Sequence, residues 1–268
     1  MAAPRILVTR PVHDGAPWVA ALRAQGIAAH ALPLLEIAPI TDPALAQRLE
    51  QARAHWASYA AVMFVSGNAV QHFFEPNQAQ TLIQQAQAAI NTRVWAPGPG
   101  TLAALRGAGL AAARIDGPAP GAAQYDSEAL WQQVAAQIGP GARVLIVRGT
   151  CEPARTGGQG RDWLAAQLAG AGARVDFVAA YRRSAPRWSA AQQHLARAAA
   201  ADGSLWLLSS REALAHLRAL LPHQPWQGAA ALATHPRIAA AAHAAGFGRV
   251  HESRPTLDDV AASIKSLA

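Results

Sequence analysis

The chain has 268 residues, 51% of them apolar, with 23 Lys+Arg against 16 Asp+Glu for a net charge of +7; that is length enough for two ordinary domains with buried cores. All of the basic charge except Lys265 is arginine, scattered rather than run together with aromatics, which speaks against a nucleic-acid surface and suits carboxylate or phosphate ligands. No apolar run reaches membrane-span length, Met1-Ala-Ala-Pro-Arg5 enters a strand without a signal-peptide pattern, and the single cysteine, Cys151, argues against disulfides and thiolate metal clusters and fits a reducing cytoplasm.

In chain order, Arg5–Arg10 reads as a short buried strand, and the helix starting near Trp18 closes at Gly26. An extended stretch runs from Leu32 to Pro39, and a helix is predicted over Pro43–His55. Val62–Ser66 is a second buried strand and leads into a helix at Asn68-Ala-Val70. A third strand starts at Val94 and turns through Gly98-Pro-Gly100-Thr101 into a helix that ends at Gly109-Leu110. Asp126-Ser-Glu128 is a capping start for a helix to Ile138. Arg143–Arg148 is the next buried strand, with a helix around Trp163 and glycines at 170 and 172. An extended run follows from Val175 to Pro186, and helices are predicted over Ser189–Ala200 and Thr256–Leu267. Between them, Leu205–Ser209 runs into the helix at Arg211. Ala231–Ala233 turns through Thr234-His-Pro-Arg237 into a helix ending at Gly246-Phe247.

These pieces repeat. Arg5–Arg10 with its helix matches Arg143–Arg148 with its own; Val62–Ser66 matches Leu205–Ser209; the unit from Val94 to Leu110 matches the unit from Ala231 to Phe247. Any one pair is what alanine-rich β-α units produce by composition, but three pairs in the same order point to duplication. Alternating strands and helices predict an α/β class with doubly wound parallel sheets. Ligands of such sheets sit beyond the carboxyl ends of the strands, where Arg10, Ser66, Gly98, Arg148, Ser209 and Thr234 all fall.

Each of these residues has a functional and a structural reading. Arg10 and Arg148 are anion ligands or solvated strand ends. Ser66 and Ser209 are ligand donors or helix N-caps. Gly98 to Gly100 permits close approach of backbone N–H groups to an anion, with carboxylate favoured over pyrophosphate, or is a purely structural strand-to-helix turn. The same turn loosely fits a dinucleotide fingerprint with Asp116 as the ribose-binding acid, although Thr234–Arg237, its repeat, lacks glycine. Tyr181 either seals a core edge or reaches a ligand. The ten histidines form no metal-ligand spacing, so no metal is expected.

The order and spacing of Leu7-Val-Thr-Arg-Pro11, Pro33-Leu-Leu-Glu-Ile37, Phe64-Val-Ser-Gly-Asn-Ala-Val70, Gly98-Pro-Gly-Thr101, Asp126-Ser-Glu-Ala-Leu130, Val147-Arg-Gly149, Ala180-Tyr-Arg182 and Leu208-Ser-Ser210 resemble the uroporphyrinogen-III synthase family over essentially the whole chain. The resemblance implies two flavodoxin-like parallel-sheet domains joined by a two-stranded linker, with the active-site cleft between them. It puts 1–36 with 184–268 in one domain and 40–175 in the other, inserted one. The linkers then fall at about 34–40 and 175–184, with Leu34–Ile37 and Val178–Arg182 as the crossing strands. Repeats alone would suggest two tandem halves.

The implied reaction is cofactor-free: hydroxymethylbilane loses its terminal hydroxyl and closes to uroporphyrinogen III with inversion of ring D, a lyase step of tetrapyrrole and haem biosynthesis. Tyr181 matches the family's important tyrosine, Thr101 its glycine-turn threonine, and Ser209 or Ser210 its strand-end serine. Arg10, Ser66, Asn68, Gly98, Gly100, Thr101, Arg148, Ser209, Ser210, Arg211, Thr234 and Arg237 are the expected substrate ligands. Where many members have Gly-Pro-Thr-Thr, this chain has Thr234–Arg237, so Arg237 stands in for a threonine. A cytoplasmic monomer acting on a polycarboxylate small molecule is expected. The rival readings are a two-domain binding or sensor protein without catalysis, and an NAD-linked enzyme using the glycine turn.

Overall fold

The computed structural model describes residues 4–74, 92–119, 121–151 and 159–267. In chain order its elements are β1 (Ile6–Val8), α1 (Val12–Ala24), β2 (Ala29–Ala31), β3 (Glu36–Pro39), α2 (Pro43–His55), β4 (Ala61–Phe64), α3 (Gly67–Phe73), β5 (Arg93–Trp95), α4 (Pro99–Gly107), β6 (Ile115–Asp116) and α5 (Ser127–Val134). They continue with β7 (Arg143–Cys151), α6 (Gln159–Gly170), β8 (Arg174–Ser184), α7 (Ala190–Ala199), β9 (Leu205–Leu208), α8 (Arg211–Leu220), β10 (Ala230–Ala233), α9 (Pro236–Ala244), β11 (Arg249–Glu252) and α10 (Leu257–Ser266).

The helices begin where short polar side chains satisfy their unpaired N–H groups. Asp42, Ser66, Asp126, Ser210 and Thr256 each accept from the backbone three residues on, and Ser189 forms a reciprocal capping box with Gln192. The repeated helices also end alike. Gly109 and Gly246 have φ of 92° and 94°, and the next residues, Leu110 and Phe247, donate back to Leu105 O and Ala242 O. A residue with a Cβ is strained at such φ, so glycine stops both helices.

By contacts the chain divides into two compact units, Met1–Glu36 with Ser184–Ala268, and Ile37–Arg183. The first holds a parallel sheet ordered β11-β10-β9-β1-β2. Counted along its own strands this is the flavodoxin-like order 2-1-3-4-5. Its three central strands, β1, β9 and β10, are buried on both faces, while the edge strands β2 and β11 are largely exposed. Leu7, Trp206, Leu208, Ala231 and Ala233 pack with Leu214, Leu217 and Ala242 on one side. Ile6, Val8, Leu205, Leu207 and Leu232 pack with Val19, Leu22, Val260 and Ile264 on the other. This alternation within continuous apolar runs is what a helix-covered parallel sheet requires.

The second unit holds a sheet ordered β3-β8-β7-β4-β5-β6, in which β8-β7-β4-β5-β6 are parallel neighbours. Taking β7 as its first strand and β8 as its second, this too is the order 2-1-3-4-5. Strand β1 therefore corresponds to β7, β9 to β4, and β10 to β5, the three pairs that the sequence repeats. Each unit joins the opening β-α-β of one sequence half to later strands of the other. Val62, Phe64, Val94, Leu145 and Val147 pack with Leu49, Phe73 and Leu105 on one face. Met63, Trp95, Val144 and Ile146 pack with Leu130, Leu164 and Leu168 on the other.

The extended stretch expected over Leu32–Pro39 is not one strand. Leu32, Leu34 and Leu35 are buried in the first unit's apolar cluster, and the strand begins at Glu36 rather than Leu34. Burial of the leucines outweighs continuation of the strand. Strand β8, by contrast, runs unbroken from Arg174 to Ser184 and stays in register with β7 as far as Cys151↔Arg183, with one irregularity between Arg148 and Gly149.

Candidate active site

In each unit the connections leave β1 and its counterpart β7 in opposite directions, so the carboxyl ends of β1/β9 and of β7/β4 are the topological switch points. Arg10, Ser209, Ser210 and Arg211 follow β1 and β9, and Ser66 and Asn68 follow β4, whereas Gly98, Gly100 and Thr101 follow the neighbouring β5 and Thr234 and Arg237 the neighbouring β10.

In the first unit, Thr9 ties the two central strands together, its hydroxyl donating to Leu207 O at 2.6 Å. Arg10 follows, with its guanidinium 4.0 Å from the Trp18 ring centroid. Its Nε is buried and has no hydrogen-bond acceptor among the described residues. Burial lowers its pKa, opposed by the Asp14 carboxylate, and it remains a cation. A ring covering the flat face of a guanidinium leaves the in-plane N–H groups for a carboxylate. Across the switch point, Ser210 rather than Ser209 caps the following helix, accepting from Ala213 N at 3.3 Å. The Ser209 hydroxyl, half-buried, is thereby left for other use. Thr234 is buried, and its N–H donates to Leu208 O at 3.0 Å. The turn after it is capped by His235, whose Nδ1 accepts from Arg237 N at 3.1 Å. Arg211 and Arg237 are exposed at the first turns of their helices.

In the second unit the equivalent arginine, Arg148, is not at the strand end that the sequence suggests: β7 runs on to Cys151, paired with β8 past a register shift between Arg148 and Gly149, and Arg148 lies over the Phe177 ring at 4.5 Å. Both repeated arginines thus rest on aromatic faces. Gly98 is the N-cap of the helix Pro99–Gly107 without a side-chain cap, Gly100 is exposed with nothing within 4 Å of a built Cβ, and Thr101 is buried. Asn68 is buried in the first turn of Gly67–Phe73. Asp116, the acid that a dinucleotide site would need, is held by two nitrogens of Arg93, with Nε at 2.8 Å from Oδ2.

Tyr181 and Ser66 are brought together. The Tyr181 hydroxyl is 3.0 Å from Ser66 Oγ, and the ring is 3% exposed. Two neighbours of the tyrosine were not among the residues expected at the site. His72 stacks on its ring at 5.7 Å and 23°. Gly149 lies against the ring so closely that a Cβ there would be 2.5 Å from Tyr181 Cε2 and 2.6 Å from Cζ. Gly149 stands in the recognisable Val147-Arg-Gly149 motif, which was its only sequence signal; His72 had none.

No group of three or more His, Cys, Asp and Glu residues fit to hold a metal occurs among the described residues, and no described helix is long and apolar enough to cross a membrane. The fold and strand ends define an α/β protein of two flavodoxin-like units with guanidinium, hydroxyl and backbone N–H groups around the carboxyl ends of their sheets. The chain belongs to the uroporphyrinogen-III synthase family, since the family described as uroporphyrinogen-III synthase HemD matches residues 16–262. A uroporphyrinogen-III synthase of Chlorobaculum parvum is 34% identical over 101 residues, 36% of this chain and 35% of that protein, so the match spans about a third of that relative's length. In fold, a uroporphyrinogen III synthase variant from Thermus thermophilus matches with a TM-score of 0.58 at 17% identity, covering 98% of both chains. The uroporphyrinogen-III synthetase of Helicobacter pylori matches at 0.56 and 15%, covering 99% of this chain and 100% of that one.

Proposed function

We propose that this chain is a uroporphyrinogen-III synthase, a lyase that cyclises hydroxymethylbilane with loss of water and inversion of ring D. The observation that carries the reading is the Tyr181 hydroxyl. It is tethered to Ser66 at the carboxyl end of β4, in the sheet whose strand β7 carries Arg148 over the Phe177 ring.

The substrate carries its own electrophile precursor, so no protein nucleophile is needed. Departure of the terminal hydroxyl leaves an azafulvene. The substituted carbon of ring D attacks it to give a spiro intermediate, and fragmentation and reclosure invert that ring. The protein's work is to hold the chain folded for the spiro path and to assist the leaving group. Arg10 and Arg148 each present in-plane N–H groups to a carboxylate side chain, and the Gly98–Gly100 turn presents backbone N–H groups. Tyr181 donates a hydrogen bond to the departing hydroxyl. A binding protein without catalysis would share the fold, but the family membership does not favour it.

Tyr181→Phe tests the assignment, since the ring that fills the space over Gly149 stays and only the hydroxyl goes. Turnover should fall roughly 10-fold or more, while the lost Ser66 contact costs about 1 kcal/mol of stability. Full turnover in this variant would remove Tyr181 from the reaction.

A further inference from the structure

The ring of Tyr181 has little freedom. Its face lies on the Gly149 backbone, where even a Cβ would come within 2.5 Å, and His72 stacks on it. His72 is itself anchored, because the buried guanidinium of Arg53 donates to the carbonyls of His72 at 2.5 Å and Phe73 at 2.9 Å, at the end of the helix Gly67–Phe73. With the ring fixed, what remains to be set is the direction in which the phenolic proton points. The partner that sets it is Ser66. Its Oγ accepts the N–H of Ala69 at 3.2 Å as the N-cap of the same helix and lies 3.0 Å from Tyr181 Oη.

Either oxygen of that pair can be the donor by distance. Among the described residues neither hydroxyl proton has an acceptor other than the opposite oxygen; once the departing hydroxyl of the substrate accepts the phenolic proton, Tyr181 Oη is left to accept from Ser66. Donation by Ser66 forms a chain running from Ala69 N–H through Ser66 O–H to Tyr181 Oη. In such a chain each accepted bond strengthens the next donated one. We propose that Ser66 is a positioning residue that donates to Tyr181 Oη, turning the phenolic proton outward and making it a stronger donor toward the departing hydroxyl. Ser66 then acts through Tyr181 rather than on substrate. The inference rests on the catalytic reading of Tyr181 given above.

The test is a double-mutant cycle on the full chain with hydroxymethylbilane. Ser66→Gly removes the hydroxyl and leaves glycine, a tolerable N-cap, so the helix start is kept. It should lower kcat about 3- to 10-fold with KM unchanged, and Ser66→Thr, which keeps a hydroxyl and a cap, should restore it. In the Tyr181→Phe background Ser66→Gly should have no further effect on kcat. If Tyr181→Phe is slow but Ser66→Gly is as fast as the parent, or if the two losses multiply, Ser66 does not act through the phenol. Full turnover in Tyr181→Phe would instead sink the reading on which the inference rests. Neutron diffraction from deuterated crystals decides the donor without any activity measurement: the Ser66 deuteron should lie on the line to Tyr181 Oη. A Tyr181 deuteron on that line overturns the proposal.

Discussion

Arg10→Met separates a residue kept for a ligand from one kept for the fold. Arg10 has a buried Nε without an acceptor among the described residues and a guanidinium 4.0 Å from the Trp18 ring centroid. An unsatisfied buried donor costs about 1–3 kcal/mol, and a guanidinium on tryptophan contributes about 0.5–2 kcal/mol. Methionine keeps a thioether–aromatic contact of about 0.3–1.5 kcal/mol and removes the unsatisfied donor. At their midpoints these terms favour methionine, so the stability of the free protein should be unchanged or raised by up to about 2 kcal/mol, roughly 6 °C in Tm. Binding is another matter, because a charge-assisted hydrogen bond to a carboxylate is worth about 1.5–3 kcal/mol. KM should rise about 10- to 100-fold with kcat nearly unchanged. The assays are thermal melts followed by circular dichroism and initial rates over a range of substrate at fixed ionic strength. A Tm lowered by more than about 6 °C together with an unchanged KM would show that Arg10 serves the fold and that the carboxylate argument is wrong.

Two glycines of the second unit should respond in opposite ways to alanine. Gly149→Ala drives a Cβ into the Tyr181 ring and should cost about 1–3 kcal/mol as an overpacked core does, with a fall in turnover; Gly100→Ala meets nothing within 4 Å and should leave Tm unchanged or raised. Equal melting temperatures for the two variants would contradict the ring placement. Because arginine provides nearly all of the basic charge, KM should rise with ionic strength more than kcat falls, and a KM flat across that range would point to backbone N–H groups as the main ligands. The Asp176 carboxyl is held below its usual value, first by the hydrogen bond from Arg143 and also by Tyr59, against opposing desolvation. A depressed carboxyl contributes stability above its unfolded value of 3.8, and that contribution is lost as pH falls through the folded value. Asp176→Asn should therefore be slightly less stable than the parent at about pH 6 and approach it near pH 3, the effect being small because both partners are nearly half exposed. A stability difference constant over that range would exclude the linkage.

Much of the fold is legible because its strands are apolar runs between turn residues. Val144–Val147 and Leu205–Leu208 are such runs, and helix stops such as Gly109 and Gly246 punctuate them. The three repeated pairs fall on topologically equivalent strands. What local reading misses is that β1 pairs with β9, about 200 residues away, so the halves that repeat in sequence are not the units that pack. Strand β2, Ala29-His-Ala31, has no β-branched residue to mark it and is set by pairing with β1. At the candidate site, strand-end residues are visible because an α/β sheet puts ligands there, but their partners are not. Nothing near Ser66 announces a tyrosine 115 positions on. Gly149 is required by contact with a ring on the neighbouring strand, and Asp116 looked available until Arg93 claimed it. These are tertiary contacts, and single-sequence periodicity carries no record of them.

The most direct measurement is to add freshly prepared hydroxymethylbilane to the purified chain in the presence of a chelator, oxidise the products and separate the type I and type III isomers. The account predicts that the type III isomer dominates and that its share grows with protein concentration, as the catalysed spiro path outruns unassisted closure. Only the type I isomer, formed at the rate seen without protein, would contradict it.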